Sequence, residues 1–97
     1  MPKRPAVHLL ASSKNGTLYV GVTSDLVRRV WQHREHLAEG FTARYGVTRL
    51  VWYEQHETME SAIIREKRIK KWNRAWKVRL IEQHNPDWQD LWSSLLD

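Results

Sequence analysis

The chain has 97 residues, with 16 lysines and arginines against 11 aspartates and glutamates, so its formal net charge is +5. A hydrophobic content of 41% and a charged content of 28% are typical of one ordinary globular domain and exclude a long disordered chain. The absence of cysteine excludes disulfides, thiolate nucleophiles and cysteine-ligated zinc. No apolar run reaches the roughly 18–20 residues of a membrane span, and residues 1–5 do not lead into the apolar segment of a signal peptide.

The first part of the chain is predicted to form a β-hairpin followed by a helix. Residues 6–11 and 18–23 are prone to form strands, and Asn15-Gly16 between them is a strong hairpin signal because both residues tolerate positive φ. Thr23-Ser24-Asp25 can cap a helix. Apolar side chains at positions 26, 30 and 37 extend that helix to about residue 38, and Gly40 ends it.

The second part is predicted to contain one strand and several helices. Residues 48–53 form the strand, Glu57-Thr58 caps a helix over about 59–73, and a further helical segment covers about 75–84. Asn85-Pro86 ends that segment, and residues 87–96 are predicted to form a last short helix. This order favours an α+β fold with a small antiparallel or mixed sheet.

Half of the basic residues lie between positions 61 and 79, where Glu66 is the only acid. Such a stripe attracts phosphates by releasing their counterions. It can equally be a solvated helix face on which long side chains cover apolar surface. The stripe consists of Arg65, Lys67, Arg68, Lys70, Lys71, Arg74, Lys77 and Arg79.

Glu66 lies at the edge of the apolar face of its predicted helix, where a carboxylate needs a cation or hydrogen-bond donors to offset its desolvation. Two interpretations remain open. The carboxylate can share a divalent metal with a phosphate oxygen, or it can form an internal salt bridge with a neighbouring arginine or lysine.

The first helix carries Arg29, His33 and His36 at positions i, i+4 and i+7. Arg29 beside His33 is typical of a phosphate clamp next to a proton-transfer group. The alternative for His33 is a core histidine with satisfied hydrogen bonds. Zinc binding by His33 and His36 has no evident third ligand.

Taken in order and spacing, these residues resemble the GIY-YIG nuclease domain, and in particular its small stand-alone bacterial members. The resemblance covers residues 6 to 92 and implies an α+β fold whose three-stranded antiparallel sheet carries a signature β-hairpin, flanked by helices. It also implies cleavage of phosphodiester bonds with one divalent metal. The motifs that carry it are Tyr19-Val20-Gly21, Thr23-Ser24-Asp25-Leu26, Arg28-Arg29, His33, Arg65-Glu66-Lys67 and Asn85-Pro86.

The resemblance implies a role for each matching residue. Tyr19 and Arg29 correspond to the catalytic tyrosine and arginine of the family, and Glu66 corresponds to its metal-binding glutamate. His33 stands at a position that usually bears histidine or tyrosine. Asn85 matches a late polar residue near the site.

The first signature triplet departs from the family pattern. It is Val7-His8-Leu9 here, with His8 where a tyrosine is expected. An imidazole has a pKa near 6.5 and a phenol one near 10, so we expect shifted or weakened activity. A nucleic-acid-binding module without catalysis is therefore the alternative to a nuclease, and a small basic protein–protein adaptor is a third possibility. Gly21 is expected where the strand passes close to a side chain or phosphate.

The expected chemistry is in-line attack of water on a phosphodiester. Glu66 would hold Mg²⁺ or Mn²⁺, and Arg29 would donate to the scissile phosphate. Tyr19, together with His8 or His33, would orient or deprotonate the water. The sequence leaves open which of the three is the base. Asn85 would orient the water or a substrate oxygen.

Six tryptophans in 97 residues are expected to serve mainly as core. Trp52, Trp88 and Trp92 are predicted to be buried. Trp72 and Trp76 lie four residues apart in the basic region, where we favour packing over a stacking platform for unpaired bases.

The predicted partner is single- or double-stranded DNA, and the predicted setting is DNA repair, recombination or uptake in a bacterial cytoplasm. The domain is taken as residues 1–97, with its core over about 6–92, and as a monomer or weak dimer. The residues expected to contact DNA are Arg28, Arg65, Lys67, Lys70, Lys71, Arg74, Trp72 and Trp76.

Overall fold

The computed structural model describes residues 4–35, 37 and 40–96, with residue 41 described through its backbone alone. Within these residues, three strands form one sheet and five helices accompany it, which confirms the predicted α+β class. The strands are β1 (Ala6–Ala11), β2 (Leu18–Thr23) and β3 (Arg49–Gln55). The helices are α1 (Leu26–Arg34), α2 (Phe41–Tyr45), α3 (Met59–Lys71), α4 (Arg74–Glu82) and α5 (Trp92–Leu95).

The sheet has the order β2-β1-β3, and both pairings are antiparallel. All six residues of the central strand β1 are buried. In the register of the sheet, His8 lies between Gly21 on β2 and Tyr53 on β3. A polar residue of the first signature triplet is therefore held in the middle of the sheet.

The β1–β2 turn confirms the predicted hairpin. Its two central residues have different roles, since only Asn15 has a positive φ. Asn15 has a φ of 60°, in the left-handed region. Gly16 is needed for a close approach, because a Cβ atom there would lie 2.3 Å from the Ser12 hydroxyl oxygen. That hydroxyl accepts a 2.9 Å hydrogen bond from the Thr17 N–H and so closes the turn.

The two faces of the sheet carry separate apolar clusters. Side chains such as Val7 and Leu9 pack in one cluster with residues of α3 and α4, among them Ile69. Ala6 and Leu10 belong to the other cluster, which α1 and α5 complete. Because side chains alternate along a strand, His8 has the orientation of Ala6 and Leu10.

Three long helices begin at side-chain caps. Asp25 accepts a hydrogen bond from the Arg28 N–H before α1, Thr58 caps α3, and Asn73 caps α4. The predicted starts of α1 and α3 follow from these caps. Among the helices in the described part of the chain, none combines the length and apolar character that crossing a bilayer requires.

Two predicted helices are too long by several residues, and one helix was not predicted. Helix α1 ends at Arg34, and Leu37, counted as part of its apolar stripe, is 60% exposed. The Leu37 N–H bonds to the carbonyl of Gln32, five residues back, which closes the helix with a wide turn. Helix α2 was not predicted, since five residues show no periodicity, and the last helix covers only four residues.

Candidate active site

Three aromatic side chains from three elements meet on the α1 side of the sheet. The ring centroids of His8 and Tyr19 lie 6.4 Å apart, those of His8 and His33 6.5 Å, and those of Tyr19 and His33 5.7 Å. His8 is 1% exposed and His33 3% exposed, whereas Tyr19 is partly exposed. This aromatic cluster therefore places its tyrosine outermost.

Gly21 provides the space for this aromatic cluster. It faces His8 across the β1–β2 pair. A Cβ atom at position 21 would lie 2.6 Å from His8 Nε2 and 2.9 Å from Tyr19 Cε2, both closer than real contacts allow. A residue larger than glycine would therefore displace His8, Tyr19 or the strand.

The histidines leave several nitrogen atoms without hydrogen bonds. His33 Nδ1 lies 2.8 Å from the Thr42 hydroxyl oxygen. Within the described residues, His33 Nε2 and both ring nitrogens of His8 are buried and have no hydrogen-bond partner. Buried polar atoms in folded proteins nearly always have one. Three such atoms in one cluster are groups that a water molecule or a polar group of a ligand could hydrogen-bond.

Arg29 supplies the positive charge beside the aromatic cluster. Burial lowers the pKa of His8 to about 3, and repulsion from His33 and Arg29 adds to this effect. Burial, followed by repulsion from Arg29, also lowers the pKa of His33. Both imidazoles are therefore neutral at pH 7. Arg29 Nη1 donates a 3.3 Å hydrogen bond to Gln32 Oε1.

Glu66 lies on α3, which packs against β1 and β2, the strands that carry His8 and Tyr19, on the side of the sheet opposite α1. Its carboxylate is nearly buried and accepts a 2.9 Å hydrogen bond from Lys70 Nζ. That bond raises the pKa of Lys70, and the charges of Glu66 and Tyr19 raise it further, whereas burial opposes the rise. Lys70 is thus the member of the pair that interacts electrostatically with Tyr19. Of the two interpretations of Glu66, the salt bridge is the one present here.

The donor set around Glu66 fits a cation that arrives together with a phosphate. Within the described residues, no group of three or more histidines, aspartates or glutamates could enclose a metal ion. Mg²⁺ in phosphate-processing sites is commonly held by one or two carboxylates, with water and substrate oxygens completing the shell. The single, nearly buried carboxylate of Glu66 fits that arrangement.

Asn85 lies outside the aromatic cluster, and its amide is occupied. Its Nδ2 donates to the carbonyls of Val51 (3.1 Å) and Gln89 (2.8 Å), and its Oδ1 accepts from the Gln89 N–H at 2.9 Å. These bonds connect the end of α4 to β3 and to the following turn. We therefore leave Asn85 out of the catalytic group.

The basic residues expected to contact nucleic acid fall into two groups. Arg65 and Arg74 are engaged: Arg65 Nε donates to Glu54 at 3.2 Å, and Arg74 Nη2 donates to the carbonyls of Asn15 and Gly16 at 2.9 and 2.7 Å. The others are exposed on α1 and α3, with Lys70 shared between solvent and Glu66. The exposed members are Arg28, Lys67, Lys70 and Lys71.

The tryptophans divide differently from the prediction. Trp52 and Trp88 are buried, as expected, with 6% and 0% exposure. Trp92 is partly buried against the apolar cluster that includes residues of α1 and α5. Trp72 is partly buried, but the packing prediction is wrong for Trp76, which is 51% exposed.

Two further points concern residues around His33. Thr42 was not predicted as a site residue. It follows Gly40 in a stretch without periodicity, and it meets His33 through a contact nine residues away in the chain, so no sequence signal marks it. His36, the second half of the candidate zinc pair, lies outside the described residues.

Comparisons with known proteins agree with this geometry. A model of the GIY-YIG catalytic domain matches residues 4–79. A UPF0213 protein from Staphylococcus aureus is 32% identical over 74 residues, which are 76% of this chain and 90% of that protein. A UPF0213 protein from Aeromonas salmonicida is 28% identical over 89 residues, 90% of this chain, and the chain spans 65% of that relative's length.

A solved structure is also similar. The solution NMR structure of a UPF0213 protein from Bacillus halodurans has a TM-score of 0.56 and 26% identity, covering 90% of this chain and 92% of that chain. The match to the catalytic domain contains the aromatic cluster, Arg29 and Glu66, and it ends before Asn85. The chain therefore belongs to the GIY-YIG family, a family of nucleases, as one of its small members.

Proposed function

We propose that this protein is a divalent-metal-dependent endonuclease that hydrolyses phosphodiester bonds in DNA. One observation carries the proposal. Within the described residues, the buried nitrogens of His8 and His33 that lack hydrogen-bond partners lie beside Tyr19, the charge of Arg29 acts on both imidazoles, and Lys70, the ion-pair partner of Glu66, interacts electrostatically with Tyr19. Membership of a nuclease family supports it.

Arg29 is the group that would bind the scissile phosphate. A guanidinium stays charged and presents its donors in a fork that fits two phosphate oxygens. Its partner Gln32 is a neutral amide on the same helix, held through one 3.3 Å bond. Because Gln32 is uncharged, a phosphate can displace it from Arg29 without breaking an ion pair between the two residues.

His33 is the best placed general base. It is neutral at pH 7 because its pKa is lowered, and its contact with Thr42 orients the ring so that the unpaired Nε2 can accept a proton. The proton would come from the attacking water, either directly or through the Tyr19 hydroxyl. His8, whose pKa is about 3, is too weak a base and would instead hold the water by a hydrogen bond.

Glu66 would hold the Mg²⁺ or Mn²⁺ ion, which when bound stabilises the negative charge that develops on the leaving 3′ oxygen. Lys70 must then release the carboxylate. It is 54% exposed along its side chain, so it can turn to a phosphate of the substrate at small cost.

The exposed cations on α1 and α3 would bind the DNA backbone without reading its sequence. We therefore propose structure-guided or loosely sequence-selective cleavage, serving DNA repair, recombination or uptake in a bacterial cytoplasm. The second candidate is a DNA-binding module without catalysis. Two observations favour it: His8 replaces the tyrosine of the first triplet, and Lys70 already neutralises Glu66.

A cleavage assay separates the two candidates. Plasmid, single-stranded and branched DNA are incubated with the purified protein and Mg²⁺, Mn²⁺ or EDTA. We expect metal-dependent cutting that falls by about 100-fold or more in Glu66→Gln, which removes the negative charge that would hold the metal, and in Arg29→Lys, which keeps the positive charge but loses the forked donors of the guanidinium.

Glu60→Gln is the matched control, because Glu60 is an exposed acid in the first turn of the same helix. It should cut like the wild type. DNA binding by the wild type with no metal-dependent cutting would overturn the nuclease proposal in favour of the binding module.

A further inference from the structure

We infer that a groove between α3 and α4 binds an unpaired nucleotide of single-stranded or flapped DNA. The inference rests on the proposed function only in taking nucleic acid as the substrate. We call this surface the tryptophan groove. It is lined by Arg65, Trp72, Trp76, Arg79, Leu80 and Gln83.

The aromatic part of the tryptophan groove is an exposed indole supported by a second one. Trp76 is 51% exposed, and its ring centroid lies 5.9 Å from that of Trp72, at an interplanar angle of 77°. An edge-to-face contact of this kind fixes one ring and leaves a face of the other open. Open aromatic faces are the platforms on which unpaired bases stack.

The charged part of the tryptophan groove indicates a partner that carries phosphate. The guanidinium of Arg65 lies 5.4 Å from the centre of the Trp72 ring and is held in place by Glu54. Arg79 is a second cation, and the six lining residues include no acid. Stacking surface and positive charge in one groove match a nucleotide, which offers a base and a phosphate together.

An unpaired base fits the tryptophan groove better than a duplex does. Bases in a duplex are stacked on each other, so their faces are inaccessible to a protein side chain unless the base is extruded. The amide of Gln83 lines the same groove and can both donate to and accept from the edge of a base.

The tryptophan groove also lies near the candidate active site. Arg65 and Glu66 are consecutive residues of α3, one facing Glu54 and the groove and the other facing Lys70. Consecutive helical residues project about 100° apart, so the two side chains face adjoining surfaces of α3. A strand whose phosphate reaches Glu66 can place a neighbouring nucleotide on Trp76.

Binding measured without catalysis tests the inference. Fluorescence anisotropy is recorded in EDTA with a labelled oligothymidylate of about 12 nucleotides and with a blunt duplex of equal length. We expect Trp76→Ala to weaken single-strand binding by about tenfold and duplex binding by about twofold at most, because only the single strand loses a stacked base. Trp76→Phe should retain most of the affinity.

The matched control is Trp31→Ala, because Trp31 is 45% exposed, on α1. It should leave both affinities unchanged. Equal weakening of single strand and duplex by Trp76→Ala, no weakening of either, or the same loss in Trp31→Ala would each overturn the inference. So would a wild-type dimer that dissociates in Trp76→Ala in sedimentation, because a second copy would then be the occupant.

The cleavage assay keeps this inference apart from the proposed function. Binding of single strands that depends on Trp76, without metal-dependent cutting, would support the tryptophan groove and overturn the nuclease. Metal-dependent cutting with single-strand binding that ignores Trp76 would do the reverse.

Discussion

The buried polar side chains near the end of α4 and on the central strand differ in whether their polar atoms have hydrogen-bond partners. Asn85, at the end of α4, uses both amide hydrogens and its oxygen in bonds to Val51 and Gln89. His8, on the central strand, is still more deeply buried, yet neither of its nitrogens is bonded within the described residues. His33 shares this condition at one of its two nitrogens.

This difference in hydrogen bonding distinguishes a structural residue from candidate functional residues. When all polar atoms of a buried amide are hydrogen-bonded, the bonds offset the free energy of desolvating the amide. They also fix the geometry of the turn around it. Unbonded buried nitrogens cost stability, and a fold retains them where they meet a ligand. We propose that Asn85 has the first role and the aromatic cluster the second, and the following experiments test that proposal from the largest effect to the smallest.

Acidification should destabilise the protein before its carboxylates are protonated. The pKa of His8 is lowered to about 3, so between pH 6.5 and 3 the unfolded chain binds a proton that the folded one does not. The free energy of unfolding should therefore fall as the pH falls through that range, by about 1.4 kcal/mol per pH unit from His8 alone. Urea unfolding at pH 7 and pH 5 measures it.

His8→Phe is the control for this pH dependence, because it removes the titrating group and leaves an apolar ring. Its stability should vary much less between pH 7 and pH 5. A wild-type protein equally stable at both values would show that the histidines of the aromatic cluster are not buried as described.

Asn85→Ala should lower the free energy of unfolding by about 3 kcal/mol, since it removes three hydrogen bonds worth about 1 kcal/mol each. Thermal and urea unfolding measure this change. At a temperature where the variant is folded, its cleavage rate should match that of the wild type. A variant of normal stability that cuts DNA poorly would return Asn85 to the catalytic group.

Gly21→Ala should destabilise the protein by about 2 kcal/mol, because the added methyl group overlaps His8 and Tyr19. The double variant with His8→Ala should recover much of that loss, since it vacates the space. Strictly additive losses in this double-mutant cycle would mean that His8 is not the side chain displaced.

Thr42→Val should have the smallest effect on stability, about 1 kcal/mol, because it removes one hydroxyl of a buried pair and keeps the volume. Under the proposed mechanism it should also shift the pH–rate profile, since His33 loses the group that orients it. Unchanged pH dependence, with cutting at the wild-type rate, would remove His33 from the role of base.

Local patterns predicted the elements that local interactions build. The turn at Asn15 and the caps at Asp25 and Thr58 all act over fewer than five residues, and each is present. Helix α1 was predicted too long because Leu37 has the correct spacing, although the chain turns away before reaching it. The exposure of Trp76 was missed because a tryptophan four residues from another has the same pattern whether its face is covered or open.

The sequence by itself determined the α+β class, the hairpin, the main helices and the list of residues that can do phosphodiester chemistry. Only the tertiary structure decided that His8 lies against Gly21, that Thr42 contacts His33, and that Lys70 forms an ion pair with Glu66. Caps and turns depend on neighbours a few positions away, so their residues mark them. A site assembled from β1, β2, α1 and α3 depends on register and packing, which are set only when the whole chain has folded.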